Sequence, residues 1–128
     1  MLAAINAARR DAGVADLSWC RTLASNAQSY ADVLRDWGQI SHTGPDGSTL
    51  SSRLAASGYT GWKLAGENLA SGQPDAVAVL AAWFDSSPHR ANLLNSTYTH
   101  FGVGRADATE GGRTVPYWVQ VFGTGGSC

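Results

Sequence analysis

One apolar stripe in the first third of the chain constrains the fold more than any other feature. Its members step by three or four residues along about five helical turns: Trp19, Leu23, Ala27, Tyr30, Leu34 and Trp37. The spacing predicts a long amphipathic helix, with Ser18 as its N-cap and Gly38 at its end. We expect the two tryptophans of the stripe to lie in the core rather than to form a ligand platform.

Shorter helical signals occupy much of the remaining chain. Helix-start and helix-stop residues predict four further helices: from Met1 to about Ala12, through Leu50 and Leu54 up to Gly58, from Pro74 to Phe84, and from Pro88 onward with Ser87 as N-cap. Ahead of the helix that contains Leu50, the glycines and proline of residues 41–50 predict a loop.

Two late segments predict strands joined by a hairpin. They are residues 99–106 (THFGVGRA) and 114–123 (TVPYWVQVFG), with a double glycine between them. Apolar residues occupy both faces of the second strand, so we expect both of its faces to be covered. Residues 63–70 (KLAGENLA) are compatible with a strand in which Gly66 lets another group approach the backbone. The pattern predicts an α+β fold, a small antiparallel sheet with helices packed on it, in one domain spanning residues 1–128.

The overall charge argues against nucleic acid as a partner. Nine basic and ten acidic residues give a net charge of −1, whereas phosphate binding usually needs a basic excess. No apolar stretch approaches the roughly 20 residues of a membrane span. The first residues lack the order of a signal peptide, so a secreted protein would have its signal outside this chain.

The two cysteines, Cys20 and Cys128, permit a single intramolecular disulfide. The alternative is a pair of free thiols, but a terminal cysteine packs poorly as a core residue, which favours the disulfide. It would close a loop of about a hundred residues, worth about 4–5 kcal/mol in the chain-entropy model. A disulfide also favours an oxidising, extracytoplasmic location.

Three polar residues stand out as candidates for chemistry. His42 lies in a glycine-rich loop, Glu67 is the lone acid of GENLA, and His89 lies near the start of a predicted helix. Singly, each is more often structural: a hydrogen-bonded histidine, a cap or an ion-pair partner. Together, two histidines and a carboxylate can bind Zn²⁺ and leave a position for water. Their wide separation, without HExxH or CxxC spacing, makes this weak evidence on its own.

Other catalytic motifs are absent. The chain has no GxSxG nucleophile elbow, no Walker loop and no GxGxxG, so neither serine hydrolase chemistry nor a nucleotide cofactor is predicted. Cys20 lies on a core-facing helix and is a poor candidate for a nucleophile.

Several stretches in chain order resemble the CAP superfamily, which comprises cysteine-rich secretory, antigen 5 and pathogenesis-related proteins and is also called the SCP domain. The histidine of SHTG, the GEN of residues 66–68, the W-x-x-S-x-x-HR-x-N-x-L of residues 83–94 and the later GVG match its short bacterial form in order. The resemblance covers nearly the whole chain. It implies an α–β–α sandwich, with a small antiparallel sheet between helices, and it implies secretion.

The resemblance also implies a cleft with two histidines and two acids. Matched to this chain, the histidines are His42 and His89 and the first acid is Glu67. Longer family members carry the second acid in a W-x-x-E pattern, and that position here is Ser86. Asn68 and Ser86 are candidates to orient Glu67 or His89, since ligating histidines normally have a second partner; capping is the equal alternative.

Three functions follow as expectations. The first is a secreted, monomeric binding module whose His42, Glu67 and His89 cleft holds Zn²⁺ or another divalent metal and contacts a protein, a cell-surface group or a lipid. The second is an extracellular lipid or sterol carrier. The third is a metal-assisted hydrolase or protease, against which the missing second acid counts. We assign no catalytic residue, and we expect His100 to lie outside the site.

Overall fold

Nine helices and strands follow one another along residues 1–128, all of which the computed structural model describes. In chain order they are α1 (Leu2–Asp11), β1 (Ser18–Trp19), α2 (Arg21–Trp37), α3 (Leu50–Ser57), β2 (Leu64–Ser71), α4 (Ala76–Asp85), α5 (Ser87–Leu93), β3 (His100–Glu110) and β4 (Arg113–Thr124).

The four strands form one sheet in the order β1-β3-β4-β2. β3 and β4 form the predicted hairpin, which turns at Gly111 and Gly112, both with positive φ. β2 adds to the other edge of β4 in antiparallel register. The two-residue β1 pairs with β3 in parallel, so the sheet is mixed rather than wholly antiparallel as expected. The α+β class itself is confirmed.

Helices cover both faces of the sheet and complete the α–β–α sandwich. On one face, α2 and α3 enclose a core with one side of β4: Leu23, Ala27, Tyr30, Leu34, Leu54, Tyr117, Val119 and Val121. On the other face, α1, α4 and α5 pack against the opposite side: Ile5, Val79, Leu80, Trp83, Leu93, Trp118 and Phe122. The expectation that both faces of β4 are buried is therefore confirmed.

The start of the long helix differs from its prediction. α2 begins at Arg21 with Cys20 at its N-cap, because Ser18 and Trp19 are extended and belong to the sheet edge. The amide of Ser18 donates to the carbonyl of Thr99, and this ladder replaces a helical turn. Trp19 is 52% exposed, so its predicted place in the core is wrong.

The predicted end of α3 at Gly58 is confirmed, whereas the predicted start of α5 is not. Thr49 forms a capping box with Ser52 at the start of α3, and α3 ends at Gly58 in the left-handed conformation. Ser87, the predicted N-cap of α5, lies inside that helix. Ser86 occupies the N-cap instead, and its side chain makes no capping hydrogen bond.

Cys20 and Cys128 form the expected disulfide, with their Cα atoms 5.3 Å apart. The bond ties the end of the chain to the buried start of α2 and closes a loop between positions 108 residues apart. No helix of this fold combines the length and the apolar character that crossing a membrane requires.

Candidate functional site

Glu67 lies on β2 with its carboxylate almost fully withdrawn from solvent, its side chain being 2% exposed. Oε1 lies 2.8 Å from Nδ1 of His42, and Oε2 accepts a hydrogen bond from Nη2 of Arg53, also at 2.8 Å. Both carboxylate oxygens are therefore engaged. A buried carboxylate is tolerated only when it is paired and hydrogen-bonded in this way.

Arg53 on α3 joins the buried carboxylate to the loop that carries His42. Its Nη1 donates to the carbonyls of His42 and Ser48, both at 3.2 Å. Its guanidinium lies over the ring of Tyr30, 3.5 Å from the centroid, a cation–π contact. Since one side chain contacts α2, the loop and β2, Arg53 determines where His42 stands relative to Glu67.

His42 is the solvent-facing end of this chain of charged groups, with its side chain 65% exposed. The hydrogen bond to the Glu67 carboxylate raises the pKa of His42 above its ordinary value, against smaller opposing effects of burial and of Arg53. Because Nδ1 is held by Glu67, Nε2 is the nitrogen that remains for an external partner.

A network of amide side chains positions α5 and, with it, His89. Asn68, the residue after Glu67, donates to the carbonyl of His89 at 3.1 Å and to Oε1 of Gln120 at 3.2 Å. Asn92 on α5 donates back to Oδ1 of Asn68 at 2.9 Å. Asn68 and Gln120 are fully buried, so the network satisfies groups that would otherwise be costly to bury.

His89 is partly buried and its ring makes no hydrogen bond within the chain. Burial lowers the pKa of His89, and the charge of nearby His42 lowers it further. The two imidazoles thus differ: His42 favours the protonated form, whereas His89 favours the neutral form. We call the region formed by His42, Glu67 and His89 the His42–His89 cleft. The structure pairs His42 with Glu67, and it places His89 near enough for the charge of His42 to act on the pKa of His89.

The side chains of this region suit a metal ion poorly, because fewer than three of them are available as ligands. No group of three or more His, Cys, Asp or Glu side chains is arranged to hold a metal ion. Glu67 is occupied by Arg53 and His42, which leaves Nε2 of His42 and the ring of His89. A carboxylate on the far nitrogen of a ligating histidine is the usual supporting arrangement. Glu67 therefore suits the role of orienting partner better than that of direct ligand.

Of the remaining predicted residues, Asn68 belongs to this network, whereas Ser86 and His100 do not. Asn68 lies directly behind the cleft and holds α5 through the backbone of His89. The side chain of Ser86 makes no capping bond and joins no part of this network. His100 makes no hydrogen bond to the network, and its Nδ1 lies 2.9 Å from the hydroxyl of Tyr59.

Sequence reasoning missed Arg53 and Gln120. Gln120 carried a usable signal, because a lone polar residue between two buried valines of β4 needs a polar partner. Arg53 carried none, since it follows two serines in a helix of which only Leu54 is buried. The predicted close approach at Gly66 is present: a Cβ there would collide with the hydroxyl of Tyr98.

The model of the cysteine-rich secretory protein family, CAP, matches residues 2–122. The chain is 33% identical over 117 residues to YkwD, an uncharacterized protein of Bacillus subtilis. It is 35% identical over 99 residues to YlbC, an uncharacterized membrane protein of the same organism. These matches cover 91% and 77% of this chain but only 43% and 28% of the relatives, so the chain spans less than half the length of either.

Solved structures show the same architecture. An extracellular protein containing an SCP domain from Bacillus anthracis superposes with a TM-score of 0.85 at 32% identity, covering 96% of this chain and 38% of that one. An outer surface protein of Borrelia burgdorferi gives a TM-score of 0.80 at 26% identity, over 96% of this chain and 88% of that one.

Proposed function

Because this chain belongs to the cysteine-rich secretory protein (CAP) family, we propose that it is a secreted binding module whose ligand or partner contacts the His42–His89 cleft. Secretion is supported by the disulfide, which persists in oxidising compartments. The similar Bacillus anthracis protein is described as extracellular, and the similar Borrelia protein as an outer surface protein.

The observation that carries this proposal is the buried carboxylate of Glu67 beneath an exposed histidine. Taking a charge out of water costs several kcal/mol unless partners offset it. A sequence selected only for stability gains little from such a pair, since a well-packed apolar pair of similar volume is often as stable. The arrangement does, however, fix the orientation and raise the basicity of a surface imidazole. Perturbed histidines of this kind occur preferentially at binding and catalytic sites.

The second part of the proposal is weak binding of a divalent metal at the His42–His89 cleft. Nε2 of His42 and the ring of His89 would hold the ion, and Glu67 would orient His42 through Nδ1. A bound ion would supply a Lewis acid that attracts carboxylate, phosphate or hydroxyl groups of a partner. Two protein nitrogens fall short of the three ligands of catalytic zinc sites, so we expect readily reversible binding.

Neither alternative function has an observation that favours it. A hydrolase would use Glu67 as ligand or general base, but both of its oxygens are held by Arg53 and His42, and Ser86 stands where longer family members carry a second acid. A lipid carrier needs an apolar pocket of several hundred Å³. The pocket that the structure contains has a volume of about 640 Å³, yet only three of its eleven lining residues are hydrophobic.

The metal part of the proposal is tested by calorimetric titration with Zn²⁺. The parent protein should release saturable heat, and the His42→Ala/His89→Ala variant should release none above dilution. His100→Ala is the matched control, because His100 lies outside the cleft, and it should titrate like the parent. Equal heat from the parent and the double variant would remove the metal from the proposal.

A further inference from the structure

The hydroxyl of Tyr98 is a polar group without a partner at the edge of the His42–His89 cleft. Tyr98 is only 4% exposed, and its ring stacks on Phe122 with the centroids 5.4 Å apart. Its hydroxyl lies over the backbone of Gly66, the residue before Glu67, and makes no hydrogen bond within the chain. Burial raises the pKa of Tyr98, so the hydroxyl keeps its proton at neutral pH and can donate it.

Asn92 on α5 presents a second free oxygen beside this hydroxyl. The carbonyl of His89 can only accept, so Asn68 turns its Nδ2 toward it. Oδ1 of Asn68 therefore faces Asn92, and Nδ2 of Asn92 donates to it at 2.9 Å. This order of donors fixes the orientation of the Asn92 amide and leaves its Oδ1 as an acceptor that no group of the chain fills.

The two free oxygens flank one point above Gly66. A Cβ on Gly66 would collide with the hydroxyl of Tyr98 and would lie 3.3 Å from Oδ1 of Asn92. Neither oxygen belongs to the unpaired atoms that the fold shuts off from solvent, so a ligand can reach both. His89 and Asn92 are three residues apart on α5, which places their side chains on one helix face with Cβ atoms about 5–6 Å apart. The pair of oxygens is therefore a polar wall next to His89.

The chemistry of this pair limits the group that it can bind. Oδ1 of Asn92 can only accept, so the ligand must bring an N–H or O–H group, whereas a carboxylate would face a lone pair there. The hydroxyl of Tyr98 can donate to a carbonyl of the ligand. The ion of the proposed function, held by His42 and His89, attracts a carboxylate. A carboxylate, a neighbouring N–H and a carbonyl behind it occur together in an N-acylated amino acid, which is the group at the carboxyl end of a peptide.

We propose that the His42–His89 cleft binds the C-terminal residue of a peptide. The ligand carboxylate binds the ion at His42 and His89, the amide N–H donates to Oδ1 of Asn92, and the preceding carbonyl accepts from the hydroxyl of Tyr98. The carboxylate contact rests on the proposed function, which supplies the ion. Tyr98 and Asn92 add the selection for an acylated amino group.

The test is an NMR titration of the ¹⁵N-labelled chain in saturating Zn²⁺ with acetate, lactate, N-acetylglycine and N-acetylsarcosine. N-acetylsarcosine differs from N-acetylglycine only in a methyl group that replaces the hydrogen of the N–H. N-acetylglycine should shift the side-chain amide of Asn92 and bind about tenfold more tightly than acetate, since it adds two hydrogen bonds. N-acetylsarcosine should lose most of this gain, because it has no hydrogen to donate to Asn92.

Tyr98→Phe is the most informative variant, because it removes a hydroxyl that makes no hydrogen bond within the chain. Its thermal melt should match that of the parent, and its affinity for N-acetylglycine, measured relative to acetate, should fall about three- to tenfold. Tyr117→Phe is the matched control, since the hydroxyl of Tyr117 lies 2.6 Å from Oε2 of Glu110. This control should bind every probe like the parent.

Equal affinity of N-acetylglycine and N-acetylsarcosine, or unchanged binding of N-acetylglycine by Tyr98→Phe, would overturn the peptide subsite and leave the proposed function in place. Tighter binding of lactate than of N-acetylglycine would overturn it in favour of a hydroxy acid. If no probe, acetate included, shifts the rings of His42 and His89, the proposed function fails and the peptide subsite falls with it.

Discussion

Arg53 and Glu67 form an ion pair that is nearly free of solvent, with 2.8 Å between Nη2 and Oε2 and with side chains 11% and 2% exposed. The pair links α3 to β2 across the sheet edge, and it leaves Oε1 of Glu67 for His42. The position of an exposed histidine thus depends on a buried arginine to which it is hydrogen-bonded only through its own backbone carbonyl.

Removing the cation should be strongly destabilising. In Arg53→Met the carboxylate of Glu67 stays buried without its main partner, and breaking such a pair costs about 3 kcal/mol or more. Urea unfolding of the variant should show that loss. In the double variant Arg53→Met/Glu67→Gln no charge is left unpaired, so much of the loss should be recovered. A double variant that is less stable than Arg53→Met would contradict the pairing.

The pKa of His42 should depend on Glu67. NMR titration of the histidine rings should place the pKa of His42 above that of His89, and Glu67→Gln should lower the former because the ion pair is lost. The effect on stability has a definite sign. A raised folded-state pKa stabilises the fold below the unfolded value of about 6.5, and this contribution is lost as the pH rises through the folded-state pKa.

The effect of His89 on the pH dependence of stability should be opposite to that of His42. The pKa of His89 is lowered by burial, so its contribution is present above pH about 6.5 and is lost on acidification. His89→Ala should therefore flatten the acid side of the pH–stability curve, whereas Glu67→Gln should flatten the side near neutral pH. If both variants changed the pH–stability curve in the same way at every pH, the opposite pKa shifts of His42 and His89 would be contradicted.

The helices and strands that form the layers of this fold were more predictable from the sequence than the points where one element ends and the next begins. The stripe of α2, the β3–β4 hairpin and the two covered faces of β4 all follow from hydrophobic periodicity, which local residues carry. The start of α2 does not, because residues 18–19 join a sheet whose partner strand lies about 80 positions further along the chain. A two-residue parallel pairing leaves no periodic signal of its own.

The candidate site was likewise predictable from the sequence only in part. His42, Glu67 and His89 are predicted from their resemblance to a family pattern and from their chemistry. Arg53 is not, since its role depends on α3 lying against β2, a relationship that spacing alone does not reveal. Ser86, at the N-cap between α4 and α5, matches the family position by count, but its side chain does not join the amide network.

The disulfide should contribute substantially to stability. Cross-linking positions separated by about a hundred residues removes up to about 4–5 kcal/mol of loop entropy from the unfolded chain. Cys20→Ala/Cys128→Ala should lower the free energy of unfolding by a large part of this amount. Reductant should bring the parent down to the level of the variant and leave the variant unchanged. Equal stability of the parent and the variant under oxidising conditions would contradict this prediction.

The contact of α2 with β3 should tolerate no side chain at Gly102. A Cβ there would overlap the backbone nitrogen of Ala24 and the carbonyl carbon of Leu23, and backbone atoms cannot swing aside. Gly102→Ala should destabilise the protein by about 1–3 kcal/mol or more, as overpacking usually does. Thr109→Ala, at an exposed position of the same strand, is the control and should change stability little. A thermal melt of both variants distinguishes these outcomes.

The existence of one cleft containing both histidines is tested most directly by a Zn²⁺ titration followed through the ring resonances of all three histidines. If Nε2 of His42 and the ring of His89 hold one ion, as proposed, both should shift along a single saturation curve, while His100, which is hydrogen-bonded to Tyr59, should not move. Glu67→Gln should weaken the response of both rings together. A titration in which His42 and His89 saturate at different concentrations, or in which His89 does not respond, would contradict the account.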